Sequence, residues 1–534
     1  MKVFPVLFLF FAFLSIGLKT ACTEQGPVIM TIDPRIGRMG ELLTIQGSGF
    51  GNERNESFVT IAGAPPVSSA YISWSDNEIV LRLPEFGNAG LVQVHRGRQK
   101  SNPVLFANKL NVPLLCEISA LGNGPRINSI QPASGPIGSL ITIQGSNFGS
   151  FRGASGVFFS WNAIDPHTPG FVEVSEAEFG YELWSEREIR VRVPDGAVSG
   201  SLEVRSSRGT SQPAHFTVSG NPGTKTFRDR QTFLISYMTD IEIHRAVRPN
   251  ALYIWMPQPV VSASQRNVRL YSRNLEPLVE NHRGTSLFQF VDTVPGANFR
   301  ISLSYKVEVY AVESSIRTQT PVRLNEASPV NTIYVLPSAL VPSDNPGIRA
   351  QAAQIIRQER FPHARARMIY EWLISTLEIQ WQPLTGGALE ALEEREADSY
   401  RAALLFCALA RAAGIPALPV AGVLVDRYDN TFRHYWAEFW LDGFGWIPVD
   451  PALGAGAAPA NFDLREDHAR YYFGNLDNQR IAFSRGERFL YRMTPHGRTT
   501  FRSREFSLQN LWEEAVDGLE SYSSHWSGVT ITRM

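Results

Sequence analysis

The sequence predicts a multidomain chain in which two β-sandwiches in tandem are followed by a further β domain and an α+β core. Three observations carry this expectation. The first is a repeat: Ile32-Asp33-Pro34 through Thr44-Ile45-Gln46-Gly47-Ser48-Gly49-Phe50-Gly51 recurs, at an offset of 98, as Ile130-Gln131-Pro132 through Thr142-Ile143-Gln144-Gly145-Ser146-Asn147-Phe148-Gly149. The second is the succession of short alternating or apolar runs, bounded by Gly, Pro and Asn, that continues to about Leu340 and has the period of strands. The third is a switch to helical spacing at Pro346, followed by one long apolar helix and two strands. At 534 residues the chain has room for several domains of about 100–200 residues each.

Residues 1–21 read as a signal peptide. Lys2 precedes an apolar run, Val3 to Leu18, which suits a secretory signal and is short for a membrane span. The next word, Leu18-Lys19-Thr20-Ala21-Cys22, resembles a bacterial lipobox, which implies a lipid on Cys22 and a membrane-anchored, exported protein. Lys19 stands where an aliphatic residue is usual and Leu18 lies one place early, so an uncleaved anchor or ordinary secretion stays open. The other two cysteines, Cys116 and Cys407, fall in different domains, and no disulfide is indicated. Charge is balanced, with 50 Lys+Arg against 51 Asp+Glu, which gives no argument for nucleic acid as a partner.

Domains are expected at 22–111 and 124–219. Trp74-Ser75-Asp76-Asn77-Glu78-Ile79 recurs as Trp184-Ser185-Glu186-Arg187-Glu188-Ile189 at an offset of 110, so the second copy holds 110 − 98 = 12 extra residues, expected within Phe158 to Glu178. Runs such as Val80-Leu81-Arg82-Leu83 and Arg190-Val191-Arg192-Val193 read as strands of a sandwich. The P-x-x-G and G-x-x-F-G words resemble IPT/TIG domains, which are immunoglobulin-like modules of many surface proteins. Such a fold names no ligand, and a spacer role is at least as well supported as a binding one.

A Gly-Asn-Pro-Gly linker at 220–223 leads to a β domain, 225–340, with strands expected at Thr232-Phe233-Leu234-Ile235-Ser236-Tyr237, Ala251 to Pro257 and Ile301 to Tyr305. Its Ile254-Trp255-Met256-Pro257-Gln258-Pro259 resembles the β domain that precedes the catalytic core of bacterial transglutaminase-like proteins. The core itself is expected at 345–500, its helices beginning at Pro346 and broken near Phe361-Pro362. Leu508 to Tyr522, in a C-terminal helix and tail at 501–534, is expected to be an amphipathic helix packed down by Trp512 and Trp526.

Within the core, Asp398 to Gly414 reads as a helix, His434-Tyr435-Trp436-Ala437-Glu438-Phe439 as a strand, and Gly445-Trp446-Ile447-Pro448-Val449-Asp450-Pro451 as the end of the next. These words, with Arg411-Ala412-Ala413-Gly414-Ile415-Pro416, resemble the transglutaminase-like superfamily, whose papain-like sites take a Cys at a helix N-terminus, a His on a strand and an Asp on the next. The resemblance places the nucleophile at Ser399, where the family's Gly-Asp-Cys reads Ala397-Asp398-Ser399, and the other two members at His434 and Asp450. Cys407 is eight residues further on, about 12 Å along the helix, among Leu404, Leu405, Phe406 and Leu409, which is the setting of a small buried hydrophobe.

Ser and Cys ask different things of a site. A thiolate is held by a helix N-terminus and a charged His, whereas a hydroxyl needs a base in contact and an oxyanion hole. Ser399, His434 and Asp450 could form a Ser-His-Asp triad, with the Ser399 backbone N–H and an upstream side chain as oxyanion donors. Equally, Asp398-Ser399 is what an ordinary N-cap looks like, a strand His is often structural, and Asp before Pro is often a turn starter. Tyr370, Trp381 and Gln382 read either as cleft walls or oxyanion donors or as core. The family chemistry is acyl transfer from an amide to water or an amine. Three classes follow: an exported, lipid-anchored pseudoenzyme that binds amide or peptide groups, an active serine amidase, peptidase or acyltransferase, and a structural envelope protein. The implied partner is a protein, peptide or cell-wall peptide segment, with a membrane through the lipid. No metal or organic cofactor is expected, since no closely spaced His, Cys and carboxylate set is present.

Overall fold

The computed structural model describes residues 26–534 apart from 38–39, 56, 63–64, 67–69, 84–89, 98, 109–123, 151, 154, 162–169, 176–177, 221–222, 317–327 and 495. The apolar N-terminal run, Cys22 and Cys116 lie outside the described residues.

The repeat is a structural repeat. In the first copy one sheet runs Val28–Asp33, Leu42–Ser48, Glu78–Arg82, Tyr71–Trp74, and the facing sheet Ile36–Gly37, Val104–Asn108, Gly90–Arg96, Phe58–Ile61. The second copy repeats this order with Arg126–Gln131, Leu140–Ser146, Glu188–Arg192, Tyr181–Trp184 and with Ser134–Gly135, Ala214–Val218, Ala197–Ser206, Gly156–Trp161. The shared words have shared jobs. Trp74 and Trp184 each donate the indole N–H to a carbonyl, of Phe50 and Phe148, at 3.2 Å. A Cβ on Gly47 would meet the Val28 carbonyl oxygen at 1.9 Å, and one on Gly145 the Arg126 carbonyl oxygen at 2.0 Å, so only glycine fits the T-I-Q-G-S word at that place. The extra length of the second copy falls where expected. It includes the strand Phe171–Glu173, paired with Gly156–Trp161, which has no counterpart among the described residues of the first.

The β domain is built on one 35-residue strand, Gly223–Pro257, along which Phe233, Ile235, Ile241, Leu252 and Ile254 are fully or almost fully buried. It pairs with Asn298–Ile316 over its first half and with Thr285–Val291 over its second. Here the expectation for the C-terminus is corrected. Glu513–Trp526 is a strand, not an amphipathic helix, and it pairs with Thr239–Ile254 of the long strand, while Thr530–Arg533 pairs with Phe233–Ser236. The ladder satisfies backbone groups that a surface helix would have left on the open side of Gly223–Pro257. Trp512 and Trp526 do pack the segment down, their rings 5.0 Å apart.

In the helical core, helices Pro346–Ile356 and Pro362–Thr376 flank Ser399–Ala412, which packs on an antiparallel sheet ordered Gly445–Val449, Thr431–Leu441, Ala417–Val425, Arg480–Arg485. Asp398 caps the central helix by accepting from the Arg401 N–H at 2.9 Å. Gly414, at φ +77°, ends it, and Arg411 donates to the Ala417 and Leu336 carbonyls at 2.8 Å, fixing the turn into the next strand. Tyr435, Ala437, Phe439 and Leu441 face this helix. Trp436 and Trp440, of opposite parity on the same strand, face a core shared with the second repeat domain.

That second domain is docked. Lys225 donates to Asp195 at 2.6 Å and to the Trp446 carbonyl at 2.7 Å. Arg485 binds Glu438 at 2.6 Å and also Glu178 of the extra segment. Trp161 meets Phe227 and Tyr310 at 5.3 and 5.2 Å. The first repeat domain has an apolar core made of its own residues.

Candidate functional site

His434 lies near the start of strand Thr431–Leu441, and Asp450 follows the neighbouring strand Gly445–Val449 as the N-cap of a short helix, Pro451–Gly454. The strand pairing sets Ala437 opposite Val449, which brings the two side chains together. His434 Nε2 lies 2.8 Å from Asp450 Oδ2, and both side chains are 0% exposed. The same oxygen accepts from Arg480 at 2.8 Å, and Arg480 in turn binds Asp477 at 2.6 Å. The other Asp450 oxygen accepts the Leu453 N–H at 3.1 Å. Asp450 is therefore at once a helix cap, the partner of an imidazole and the partner of a guanidinium.

The electrostatics decide the tautomer. Burial pushes the Asp450 carboxyl up, but His434 and Arg480 together outweigh it and hold the group down at about 2. It is an acceptor only, so Nε2 of a neutral His434 carries the proton and Nδ1 carries the lone pair. Nδ1 is buried with no hydrogen-bond partner. The ring is near-parallel to two indoles, Trp381 at 6.1 Å and 19° and Trp436 at 6.2 Å and 21°. Trp381 thus walls the site, as one of its sequence readings expected. Tyr370 is core: it is buried, and its hydroxyl donates to the Ala469 carbonyl at 2.9 Å. Gln382 is exposed.

Ser399 is the first residue of the central helix and half-buried. Its neighbour Tyr400 meets Tyr435, the neighbour of His434, edge to face at 4.9 Å, so the helix start and the His strand abut. The serine hydroxyl is not bonded to His434, since Nε2 is engaged with Asp450 and Nδ1 is unpartnered. The N-cap reading belongs to Asp398, whose other oxygen holds the Leu384 N–H at 2.9 Å and Arg504. Cys407 is fully buried, and burial pushes its thiol up to about 12, so it is no nucleophile.

Neither Arg480 nor Asp477 was given a role in the sequence. Among the described residues no group of three or more His, Cys, Asp or Glu side chains is placed to hold a metal. What the arrangement can do is accept a proton at Nδ1 and stabilise the resulting imidazolium through Asp450.

Residues 349–451, which include every residue of the Ser399, His434 and Asp450 set, match the family model of the transglutaminase-like superfamily. This segment is a transglutaminase-like core. Residues 27–107 and 125–219 match the IPT/TIG domain, so the repeat domains are TIG1 and TIG2. Relatives of the whole chain are partial. Fibrocystin-L of Homo sapiens is 32% identical over 127 residues, 24% of this chain and 3% of that protein. An uncharacterized protein of Haemophilus influenzae is 28% identical over 170 residues, 26% of this chain and 45% of its own length. The chain therefore spans less than half the length of either. A crystal structure from Cytophaga hutchinsonii, named as a candidate cysteine protease, is 14% identical over 58% of this chain and 92% of that one, with a TM-score of 0.38, too low to carry an argument.

Proposed function

We propose that the transglutaminase-like core is a non-catalytic module that binds amide or peptide groups. It sits on an exported chain held at a cell envelope by a lipid on Cys22, with a protein, peptide or cell-wall peptide segment as its partner. The observation that carries this is that His434 Nδ1 is buried with no hydrogen-bond partner, so Ser399, which stands in the place of the family's nucleophile, has no base bonded to it. A hydroxyl without a base in contact stays a weak nucleophile, whereas Trp381, near-parallel to the His434 ring, is a flat wall of the kind that holds an amide. The His434 and Asp450 pair, intact and with the acceptor nitrogen unpartnered, favours a second reading, a Ser-His-Asp amidase, peptidase or acyltransferase whose Ser399 engages His434 when substrate binds.

The two part on one experiment. The purified protein and its Ser399→Ala and Ser399→Cys variants are treated with a fluorophosphonate and with a panel of amide substrates. The binding reading expects a silent parent and a Ser399→Cys variant that gains thiol reactivity, because a thiolate can pair with a charged imidazole. Labelling or turnover by the parent that is lost in Ser399→Ala establishes the serine enzyme instead.

A further inference from the structure

TIG1 and TIG2 share a register, and that makes one difference between them readable. On the outer face of the facing sheet, Leu91 stands opposite Leu105 in TIG1, and Ser201 stands opposite His215 at the same place in TIG2. On the adjoining strand Ile36 pairs with Ala107, and its counterpart Ser134 with Thr217. Ile36, Leu91 and Leu105 are 50%, 49% and 64% exposed. Their chain neighbours Gly37, Val92 and Phe106 are buried, so alternation fixes the three outward and no slip of register can hide them. TIG2 shows that the fold does not require aliphatic residues here. A contiguous apolar patch kept on one copy alone marks a contact surface.

The place where the chain enters TIG1 indicates what it contacts. A Cβ on Gly26 would lie 3.5 Å from the Gln99 side chain, and Ile29 exchanges two backbone hydrogen bonds with the Asn102 side chain. Entry is therefore at the end of the domain where the strand carrying Leu105 begins. Cys22 precedes Gly26 by four peptide steps, a reach of at most about 14 Å. Arg35 stands next to Ile36, and Lys100 next to Gln99 at the entry, and both are exposed. We infer that the outer face of TIG1 lies on an anionic lipid bilayer, with Ile36, Leu91 and Leu105 at the acyl boundary and Arg35 and Lys100 among the headgroups. TIG1 is then a second membrane contact beside the lipid rather than a spacer. This rests on the reading of Cys22 as a membrane anchor.

The test uses the full chain in vesicles of phosphatidylethanolamine and phosphatidylglycerol, with the photocrosslinker p-benzoylphenylalanine placed at position 105 or, as the control, at position 215. Irradiation followed by mass spectrometry is expected to give lipid adducts at 105 and none at 215. Adducts at 105 to a second copy, or to residues 109–123 of the same chain, overturn the inference, as does an equal lipid yield at the two positions or no adduct at either. A chain that floats with the vesicles yet gives no lipid adduct at 105 sinks the TIG1 surface alone. A chain that fails to float sinks the anchor reading, and the TIG1 surface with it.

Discussion

Arg480 is the residue on which the charges of the site converge. One guanidinium, almost fully buried, holds Asp450 and Asp477 at 2.8 and 2.6 Å, and each carboxylate would otherwise be a buried charge short of a partner. Arg480→Met is expected to lower stability by about 3–5 kcal/mol, read as a fall in the urea midpoint, and Asp477→Asn by less, since it leaves the Asp450 contact in place. The Asp450 carboxyl sits at about 2 against an ordinary 3.8. Its folded value is below its unfolded one, so its contribution is complete above about pH 4 and is lost as pH falls toward 2. That contribution is roughly 2 kcal/mol, and Asp450→Asn should remove this part of the acid dependence in pH-resolved melts. His434 and Asp450 were legible in the sequence because the words around them are local. Arg480 was not, because it meets Asp450 across 30 residues, and a lone Arg in a sequence reads as surface until its partners are seen.

Among the elements, the helix Ser399–Ala412 was the easiest to read, since Asp398 before it and Gly414 after it are its own start and stop signals. The C-terminal segment was misread because Leu508, Leu511, Trp512, Val516 and Leu519 recur at spacings that suit a helix, while the partner that makes a strand of them begins at Gly223. The two states give opposite signs for one substitution. In a helix Gly518→Ala would stabilise by about 1 kcal/mol. In the strand a Cβ there would lie 1.9 Å from the Val247 carbonyl oxygen, so Gly518→Ala should destabilise by roughly 1–3 kcal/mol, measurable by chemical denaturation. The helix Pro362–Thr376 carries a second titrating group. Burial pushes His363 down to about 4 from 6.5, between Phe439 and Phe473. The unfolded imidazole charges below about pH 6.5 and the folded one only near 4, so stability is lost across that interval, and His363→Phe should flatten the slope of melting temperature against pH.

For the whole molecule, the sequence showed which domains are present but not how they join. Domain boundaries invite a picture of independent beads, yet TIG2 shares an apolar core and two buried ion clusters with the units that follow it. The residues that make this union, Glu178, Asp195, Lys225, Glu438 and Arg485, are scattered charges whose pairing only the tertiary structure reveals. Calorimetry of the full chain should show TIG1 melting apart from a second, larger transition that contains TIG2 and the core together. Glu178→Ala should lower the second transition by the equivalent of about 1–3 kcal/mol and leave the first unmoved. Separate melting of TIG2 would show that the docking contributes little.

The long strand Gly223–Pro257 has a further consequence. Its partners on one side are Glu513–Trp526 and Thr530–Arg533, which follow it only after the whole of the core has been synthesised. Until those segments have been made and have arrived, the strand keeps an open edge, and an open edge is what a chain pairs with wrongly. A nascent chain therefore carries its own unfinished ladder while the core is being made, and truncation before Glu513 should be read out as inclusion bodies rather than as shortened, working protein.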